Sequence, residues 1–512
     1  MNSATCSTVL DELELTAGRC GERIAVADEH RQFTWQQLRD TSYALAAQLV
    51  ERILPNTPVI VAAERRAETP LLFFAVLQCG CFYLPLDPEM PAARMQLVCE
   101  SSGATVALGC GERPDALPDA VDWVDCTGHA ADHLPTAHQI ALLTQRRSAL
   151  NGDSPLYLVY TSGSTGVPKG VLKQHKAMQS FVTAFLEEYP IHETDIMGNQ
   201  TPFSFDASAK DLYWCLRTGC RLEILPTRLF SFPVELVNLM NKVGVSLISW
   251  VPSALAMISQ LGTFDCVLPQ TLRAVFFVGE VFPTKQLARW RTALPDLLYV
   301  NLYGSSEIAG VCCHAPILRD YAPEESLPLG RPLSHCKLTL LTENGPTSAP
   351  NQEGELCIES EALAAGYYHD PERTAAAFRL DNGRRTLHTG DMAMINDSGE
   401  LIFTSRKDFQ IKHMGYRIEL GEIESAANAL PGIEKSACVY DSRRSRILLF
   451  VQPSADQPAP EANDLLTQLK DRLCSYMLPK RITVMEQLPL NPNGKIDRVQ
   501  LQQLAANPPR RR

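Results

Sequence analysis

Residues 158–170 could bind phosphate. They join an apolar, β-branched run to a loop with the order Leu-Val-Tyr-Thr-Ser-Gly-Ser-Thr-Gly-Val-Pro-Lys-Gly. Glycines let backbone N–H groups approach an anion closely, and a lysine adds a charge suited to phosphate. The order does not fit a Walker A loop. A flexible Gly/Ser linker is a poor alternative, because such linkers rarely follow a strand-like run.

The elements around this loop predict an α/β fold. Strand-like runs at 58–63, 105–108 and 247–251 alternate with helix-like segments such as 35–49 and 70–77. Such alternation favours layers of helices on largely parallel sheets. We expect the second helix to begin at Pro70, with Thr69 as its N-cap.

Composition excludes several function classes. The chain has 512 residues and a net charge of −11, which argues against nucleic acid as a partner. No run of 18 apolar residues and no signal-peptide pattern is present, so we expect no membrane association and a cytoplasmic location. The 16 cysteines lack zinc-ligand spacing at 79–81 and 312–313, and we expect buried free thiols. The length predicts two or more lobes.

Further motifs follow the loop in a fixed order. They lie at 33–38, 77–88, 301–307, 354–356, 365–368, 389–391, 406–412, 415–424 and 493–498. With the loop, they closely resemble the adenylate-forming superfamily, and most of all the stand-alone adenylation domains of nonribosomal peptide synthetases and D-alanine–carrier-protein ligases. The resemblance implies an α/β fold with a large N-terminal lobe of layered subdomains and a small, mobile α+β C-terminal lobe.

The resemblance also implies a reaction. A carboxylate attacks the α-phosphate of ATP with Mg²⁺ present, giving an acyl-adenylate and pyrophosphate. Lys495 would stabilise the forming adenylate, Ser306 would bind the α-phosphate, and Glu307 would hold Mg²⁺. The remaining nucleotide-binding residues implied by the resemblance are Thr161, Ser162, Gly163, Ser164, Thr165, Lys169, Tyr303 (against adenine), Asp391 (on the ribose) and Arg406.

The family's two half-reactions imply a moving lobe. We expect an N-terminal domain at 1–405, a hinge at 406–408 centred on Asp408, and a C-terminal lid at 409–512. One orientation would bring Lys495 to the substrate carboxylate, and the other would bring the Gly415 loop to the thiol acceptor. This chain departs from the family pattern at Ser305-Ser306, which replaces Pro-Thr, and at Ser405, which replaces glycine.

Asp206 indicates the class of acid that is activated. In amino-acid-activating members an aspartate at this place pairs with the substrate α-ammonium, since a buried carboxylate needs a cation. The alternative for Asp206 is a helix N-cap. The substrate pocket implied by the resemblance comprises Asp206, Ala207, Lys210, Ser249, Phe276, Val278, Leu302, Gly310 and Val311.

Two interpretations of Lys210 remain open. It lies four residues after Asp206, so an ion pair along one helix face is one of them. The other places Lys210 against an acidic substrate side chain such as that of glutamate. Segments 211–214 and 276–283 resemble D-alanine–carrier-protein ligases, so a small amino acid such as alanine is also an open alternative for the substrate.

The sequence also suggests an acceptor. It contains no Leu-Gly-Gly-x-Ser-like phosphopantetheine site. We therefore expect a stand-alone ligase that loads an amino acid onto the phosphopantetheine thiol of a separate carrier protein. The alternative is an acyl- or aryl-CoA synthetase that uses coenzyme A.

Overall fold

The computed structural model describes residues 7–128, 134–163, 167–442, 444–454, 460–490 and 496–506. Numbered along the chain, the α-helices of these residues are α1 (Val9–Cys20), α2 (Trp35–Leu49), α3 (Glu68–Gln78), α4 (Ala92–Ser102), α5 (Ala137–Ser148), α6 (His175–Glu188), α7 (Ala207–Thr218), α8 (Pro233–Val243), α9 (Pro252–Gln260), α10 (Thr263–Cys266), α11 (Thr284–Ala293), α12 (Pro371–Ala377), α13 (Leu420–Asn428), α14 (Ala462–Lys470) and α15 (Arg498–Ala506).

The strands of the same residues are β1 (Ile24–Ala27), β2 (Gln32–Thr34), β3 (Pro58–Ala62), β4 (Phe82–Leu86), β5 (Val106–Gly109), β6 (Asp122–Asp125), β7 (Pro155–Thr161), β8 (Lys169–Gln174), β9 (Ile196–Asn199), β10 (Arg221–Ile224), β11 (Leu247–Trp250), β12 (Ala274–Val278), β13 (Leu298–Tyr303), β14 (Cys313–Pro316), β15 (Arg331–Pro332), β16 (Cys336–Thr342), β17 (Gly345–Thr347), β18 (Gly354–Ser360), β19 (Gly366–Tyr367), β20 (Phe378–Asp381), β21 (Arg384–Ile395), β22 (Leu401–Arg406), β23 (Gln410–His413), β24 (Tyr416–Glu419), β25 (Ile433–Asp441), β26 (Arg446–Pro453) and β27 (Arg481–Val484).

Two large sheets form the body of the N-terminal lobe. One has the order β15-β14-β13-β12-β11-β9-β10-β1-β2, and the other has the order β19-β8-β7-β4-β3-β5-β6. Their inner strands pair in parallel, and antiparallel strands close every edge except that of β6, which pairs with β5 in parallel. Strands β3 and β11 are buried on both faces, as is usual when helices cover a parallel sheet. This agrees with the layered α/β prediction.

A third, antiparallel sheet completes the large lobe. Its order is β17-β16-β18-β21-β20, with β22 paired to β21. Strand β22 ends at Arg406, where the predicted hinge begins. This sheet therefore carries the chain from the large lobe to the small one.

The small lobe has its own core. It contains the hairpin β23–β24 and the sheet β25-β26-β27. Apolar residues of α13, α14 and β26 form one buried cluster, and α15 packs with β25 and β26 in a second. The α+β prediction for this lobe is confirmed, whereas its exact boundaries at 405 and 409 stay predictions.

Local signals explain several element boundaries. Helix α2 begins after Thr34, whose hydroxyl accepts from the Gln37 N–H while the Gln37 side chain accepts from the Thr34 N–H, forming a capping box. The prediction for α3 was wrong at its start: the helix begins at Glu68 after Ala67, with no side-chain cap. Thr69 instead donates from its hydroxyl to the carbonyl of Glu64, 2.7 Å away, and this bond anchors the first turn.

Two expectations about the whole chain can be compared with the structure. The cysteines in the described part of the chain are free, and those at 79, 81, 312 and 313 are buried. Among the helices of the described residues, none has the length and apolar character to span a bilayer.

Candidate functional site

A cleft lies where the small lobe meets the carboxyl ends of the parallel strands. Ligands of open α/β sheets bind at this edge. The large lobe contributes residues that follow β7, β9, β12 and β13, and the small lobe contributes its hairpin β23–β24. The lining includes Thr161, Ser162, Asp206, Ala207, Val278, Gly304, Ser305, Ser306, Gly310, Asp391, Arg406, Lys412, Gly415 and Arg417.

Lys169 and Glu307 form a charged group in an adjoining cleft. The Lys169 ammonium donates to the Glu307 carboxylate at 3.3 Å and to the Tyr367 hydroxyl at 3.2 Å. Arg417 of the small lobe forms an ion pair with the other Glu307 oxygen. Burial opposes the charged form of Glu307, but Arg417 and Lys169 outweigh it, so its pKa falls well below the usual value.

Several polar atoms in the same region have no hydrogen-bond partner among the residues that the structure describes. The hydroxyls of Thr161 and Ser305 and the Nε of Arg417 are buried and unpaired. Buried donors in native proteins are nearly always satisfied, so unpaired ones at a cleft favour a polar ligand. Three convergent donors with Lys169 nearby fit the phosphates of a nucleotide.

The phosphate-loop residues are only partly described. A Cβ at Gly163 would lie 1.9 Å from the Val167 carbonyl oxygen, so only glycine fits this turn. Ser162 forms hydrogen bonds with the small lobe. Its hydroxyl donates to the Arg417 carbonyl at 2.8 Å and accepts from the Glu419 N–H at 3.2 Å. Ser164, Thr165 and Lys495 lie outside the described residues.

Tyr303, Asp391 and Arg406 lie together, as the sequence predicts for a nucleoside site. The Tyr303 hydroxyl donates to one oxygen of Asp391. Arg406 lies opposite Asp391 in the pairing of β21 with β22, and its guanidinium forms an ion pair with the other Asp391 oxygen. Arg406 also binds Asp408 through two nitrogens, at 2.6 and 2.8 Å. Burial raises the pKa of Asp408, but the pairing with Arg406 lowers it by more, so the pKa is below its usual value.

Lys412 is a site residue that sequence reasoning missed. Its ammonium lies 5.1 Å from the centre of the Tyr303 ring, a cation–π distance. One face of the ring predicted to contact adenine is therefore covered by an ammonium of the small lobe in this orientation. Lys412 is the last residue of the motif at 406–412, and its positive charge was the feature of the sequence that could have identified it as a site residue.

Asp206 lies at the cleft end of α7 and does not cap that helix. It has αR backbone angles, and its side chain accepts no capping hydrogen bond. Its oxygens accept instead from the Tyr157 hydroxyl at 2.7 Å and from the Lys173 ammonium at 3.5 Å. Burial raises the pKa of Asp206, while Lys173 and Tyr157 oppose the rise. The helix-cap alternative is thus excluded by the geometry.

Lys173 and Tyr157 are further residues that the sequence did not reveal. They lie directly opposite each other on the antiparallel strands β7 and β8. Lys173 is fully buried, and its ammonium also donates to the Ile308 carbonyl at 2.6 Å. In the sequence, the only sign of this contact is that Lys173 lies inside an apolar strand, and this does not identify Asp206 as its partner.

Lys210 does not pair with Asp206, so the first of its two interpretations does not hold. Its ammonium donates to Asp211 at 3.0 Å and to the carbonyls of Ala207 and Ser249 at 2.8 and 3.3 Å. The Lys210 and Asp211 side chains are 1% and 0% exposed. The charge of Lys210 is already balanced inside the protein, away from the cleft lining.

The predicted pocket residues divide into two layers. Asp206, Ala207, Val278 and Gly310 line the cleft. Ser249, Phe276, Leu302 and Val311 are buried, and Phe276 packs within an aromatic cluster with Phe185, Tyr189 and Trp214. A Cβ at Gly310 would lie 2.2 Å from the Phe181 ring. The Phe181 ring therefore packs directly behind Gly310 at the cleft.

The hairpin β23–β24 inserts into the cleft. The Gly415 N–H donates to Glu280 at 2.8 Å, and the Tyr416 ring packs edge-on against Phe205 at 4.7 Å. On the other side, Arg94 of α4 forms a buried ion pair with Glu422 of α13. The structure thus has the small lobe in the orientation that brings the Gly415 loop to the site.

The comparisons with known proteins agree with this geometry. Residues 13–368 match the AMP-binding enzyme family, and residues 422–495 match the AMP-binding enzyme C-terminal domain. The chain is 29% identical to a D-alanine–D-alanyl carrier protein ligase of Bacillus anthracis, over 96% of this chain and 98% of the relative. It is 30% identical to a plipastatin synthase polypeptide of Bacillus subtilis, over 95% of this chain and 13% of the relative.

A solved structure shows the same architecture. It is that of holo-PA1221, described as a nonribosomal peptide synthetase protein containing adenylation and PCP domains bound to a vinylsulfonamide inhibitor. The TM-score is 0.83 at 26% identity, covering 97% of this chain and 84% of that one. Because a family model spans most of its length, the chain belongs to the AMP-binding enzymes.

Proposed function

We propose that this enzyme activates an amino acid as an aminoacyl-adenylate and then transfers it to the phosphopantetheine thiol of a separate carrier protein. The observation that carries the proposal is the Asp206 carboxylate at the cleft, close to the unpaired donors Thr161 and Ser305. A carboxylate suits the α-ammonium, and the donors suit phosphate. The names of the relatives support the same class of substrate and acceptor.

The charged residues of the cleft divide between the two ends of ATP. Lys169 and the hydroxyls of Thr161, Ser305 and Ser306 would bind the phosphates, and Asp391 would accept from the ribose hydroxyls. Glu307, an oxygen ligand with a low pKa, is suited to Mg²⁺. The ion would neutralise charge on the phosphates while these side chains hold the reacting oxygen near the α-phosphorus.

The two half-reactions would use two orientations of the small lobe. The orientation in the structure would serve thioester formation, because the Gly415 hairpin reaches the cleft. Rotation about Asp408 would exchange that hairpin for Lys495 during adenylation. The lobes would move as units bounded at 1–405 and 409–512, with 406–408 as the hinge.

The pocket favours a small side chain. The Phe181 ring lies directly behind Gly310 at the cleft, and the Lys210 charge is balanced by Asp211. A small neutral amino acid therefore fits better than glutamate. A cytoplasmic location is consistent with the free cysteines of the described residues.

ATP–pyrophosphate exchange tests this proposal. The assay would cover the twenty L-amino acids, D-alanine, β-alanine and several fatty and aryl acids. We expect exchange with a small amino acid and its selective loss in Asp206→Ala, with Asp119→Ala, an exposed aspartate, as the control. Exchange with fatty or aryl acids alone would overturn the proposal in favour of a CoA synthetase.

A further inference from the structure

We propose that Glu355, Cys357 and His388 form a Zn²⁺-binding site beside the segment that joins the two lobes. Their ligand atoms lie within 4.8 Å of one another, and the three residues are buried. The site is separate from Glu307, the residue proposed above for Mg²⁺. A sulfur, a nitrogen and an oxygen ligand favour zinc over magnesium.

Strand pairing brings the three side chains together. Cys357 of β18 lies directly opposite His388 of β21. The register of the two strands shifts between Glu355 and Cys357, and this bulge places the Glu355 carboxylate beside the same histidine. Bulges commonly redirect a side chain at a functional position.

The distances between the ligand atoms fit a shared ion. The Cys357 sulfur lies 3.6 Å from Nδ1 of His388, and a Glu355 oxygen lies 3.4 Å from the same nitrogen. Zn–S and Zn–N bonds of about 2.3 and 2.0 Å at tetrahedral angles separate the two ligand atoms by about 3.5 Å. The nitrogen–oxygen distance is longer than in a good direct hydrogen bond, which spans about 2.7–3.2 Å.

A second carboxylate orients the histidine. Nε2 of His388 lies 2.8 Å from an Asp381 oxygen, and in the tautomer with its proton on Nε2 the lone pair of Nδ1 is directed at the cluster. Histidine ligands of metals usually donate their other ring N–H to such a group. On metal binding the Cys357 thiol releases its proton to solvent as the sulfur–zinc bond forms.

The proposed zinc site is open to the adjoining cleft, which gives the ion a way in and a position for a fourth ligand. Glu355 and His388 line the cleft that adjoins the nucleotide site, so a water can supply the fourth ligand. One Glu355 oxygen is fixed by the Gly390 N–H at 2.9 Å. The other is bound at 3.0 Å by Lys407, whose side chain is 54% exposed and can turn into solvent when the ion enters.

Occupancy would affect the region between the lobes. Lys407 lies in the predicted hinge, and its ion pair with Glu355 ties that segment to the large lobe. Zinc would take the Glu355 oxygen and release this tie. The metal would thus act on lobe movement and leave the reacting atoms untouched.

Cobalt titration of the full-length protein tests the site. After chelator treatment, we expect one equivalent of Co²⁺ to give a sulfur-to-metal charge-transfer band and the visible bands of a tetrahedral centre, both displaced by Zn²⁺. Cys357→Ser should abolish the charge-transfer band. Asp381→Asn, which keeps all three ligands, should weaken binding at least tenfold, the lower end of outer-shell effects of about 10–100-fold.

Cys126→Ser is the matched control, because Cys126 is another buried thiol on a different sheet. It should leave the spectrum unchanged, and thermal melts would show that each variant is folded. Absence of cobalt uptake by the wild-type protein would overturn the proposal, as would an undiminished charge-transfer band in folded Cys357→Ser.

Discussion

At the scale of single residues, Lys173 opposes the effect of burial on the pKa of Asp206. Asp206 is buried except at the cleft, and burial alone would favour its protonated form. Lys173 and Tyr157 oppose that tendency from the opposed strands β7 and β8. Lys173 also holds the Ile308 carbonyl, next to Glu307, so a single ammonium connects the proposed substrate and nucleotide sites.

Lys173→Met should make amino-acid binding depend on pH. Without the ammonium, the already raised pKa of Asp206 rises further, and the carboxylate is lost as the pH falls through that value. We expect the KM of the variant for the amino acid to increase about tenfold for each pH unit below the pKa of Asp206, while the KM of the wild-type enzyme changes little. Exchange kinetics at pH 6 to 9 measure this, with the exposed Lys176→Met as control. Identical pH profiles would contradict this role.

The positions of site residues could be predicted from sequence where a motif carries them. The loop at 158–170, Tyr303 with Asp391 and Arg406, and Asp206 were all named from motifs, and their described members lie around the cleft. Lys173, Tyr157 and Lys412 were not named, because strand register and lobe position determine what they contact. The partner of Lys210 stayed open, since helical spacing does not show that the adjacent Asp211 points the same way.

At the scale of elements, the hairpin β23–β24 depends on one glycine. Gly415 has a φ of +82°, and a Cβ there would lie 2.6 Å from the Val251 side chain. Its N–H reaches Glu280 only because the turn lies directly against Val251. The sequence predicted this hairpin as the part that serves the thiol acceptor, and the structure places it in the cleft.

Gly415→Ala should therefore separate the two half-reactions. The added methyl group forces the hairpin away from Val251, and a displacement of about 1 Å can reduce a rate about a hundredfold. We expect thioester formation on the carrier protein to fall by that order while pyrophosphate exchange is retained. Gly399→Ala is the matched control, since Gly399 also has positive φ but open space around it. Equal loss of both reactions in Gly415→Ala would disagree with this role.

At the scale of the whole molecule, buried ion pairs fix one lobe on the other. Arg94 joins Glu422, and Arg417 joins Glu307. Both pairs cross from the large lobe to the small one. The two-lobe fold was predictable because the motifs occur in family order, whereas the orientation was not, since these pairs form between residues more than 100 positions apart.

Arg94→Met should weaken this orientation. It leaves Glu422 buried without a cation, which typically costs about 3–5 kcal/mol. We expect thioester formation to slow at least tenfold, with exchange unchanged or faster because the other orientation is more populated. Assays of both half-reactions check this, beside Arg52→Met, which removes an exposed ion pair. A parallel decline of both rates would indicate a purely structural role for Arg94.

The pairing of Glu307 has a consequence for the order of events. The carboxylate that would hold Mg²⁺ during adenylation is bound here by Arg417 and Lys169, and it cannot serve all three partners at once. With Glu307 as the proposed magnesium ligand, seating of the small lobe and retention of the metal would therefore exclude each other. The thiol would then enter only after magnesium and pyrophosphate have left, which would protect the activated amino acid from reverting to ATP.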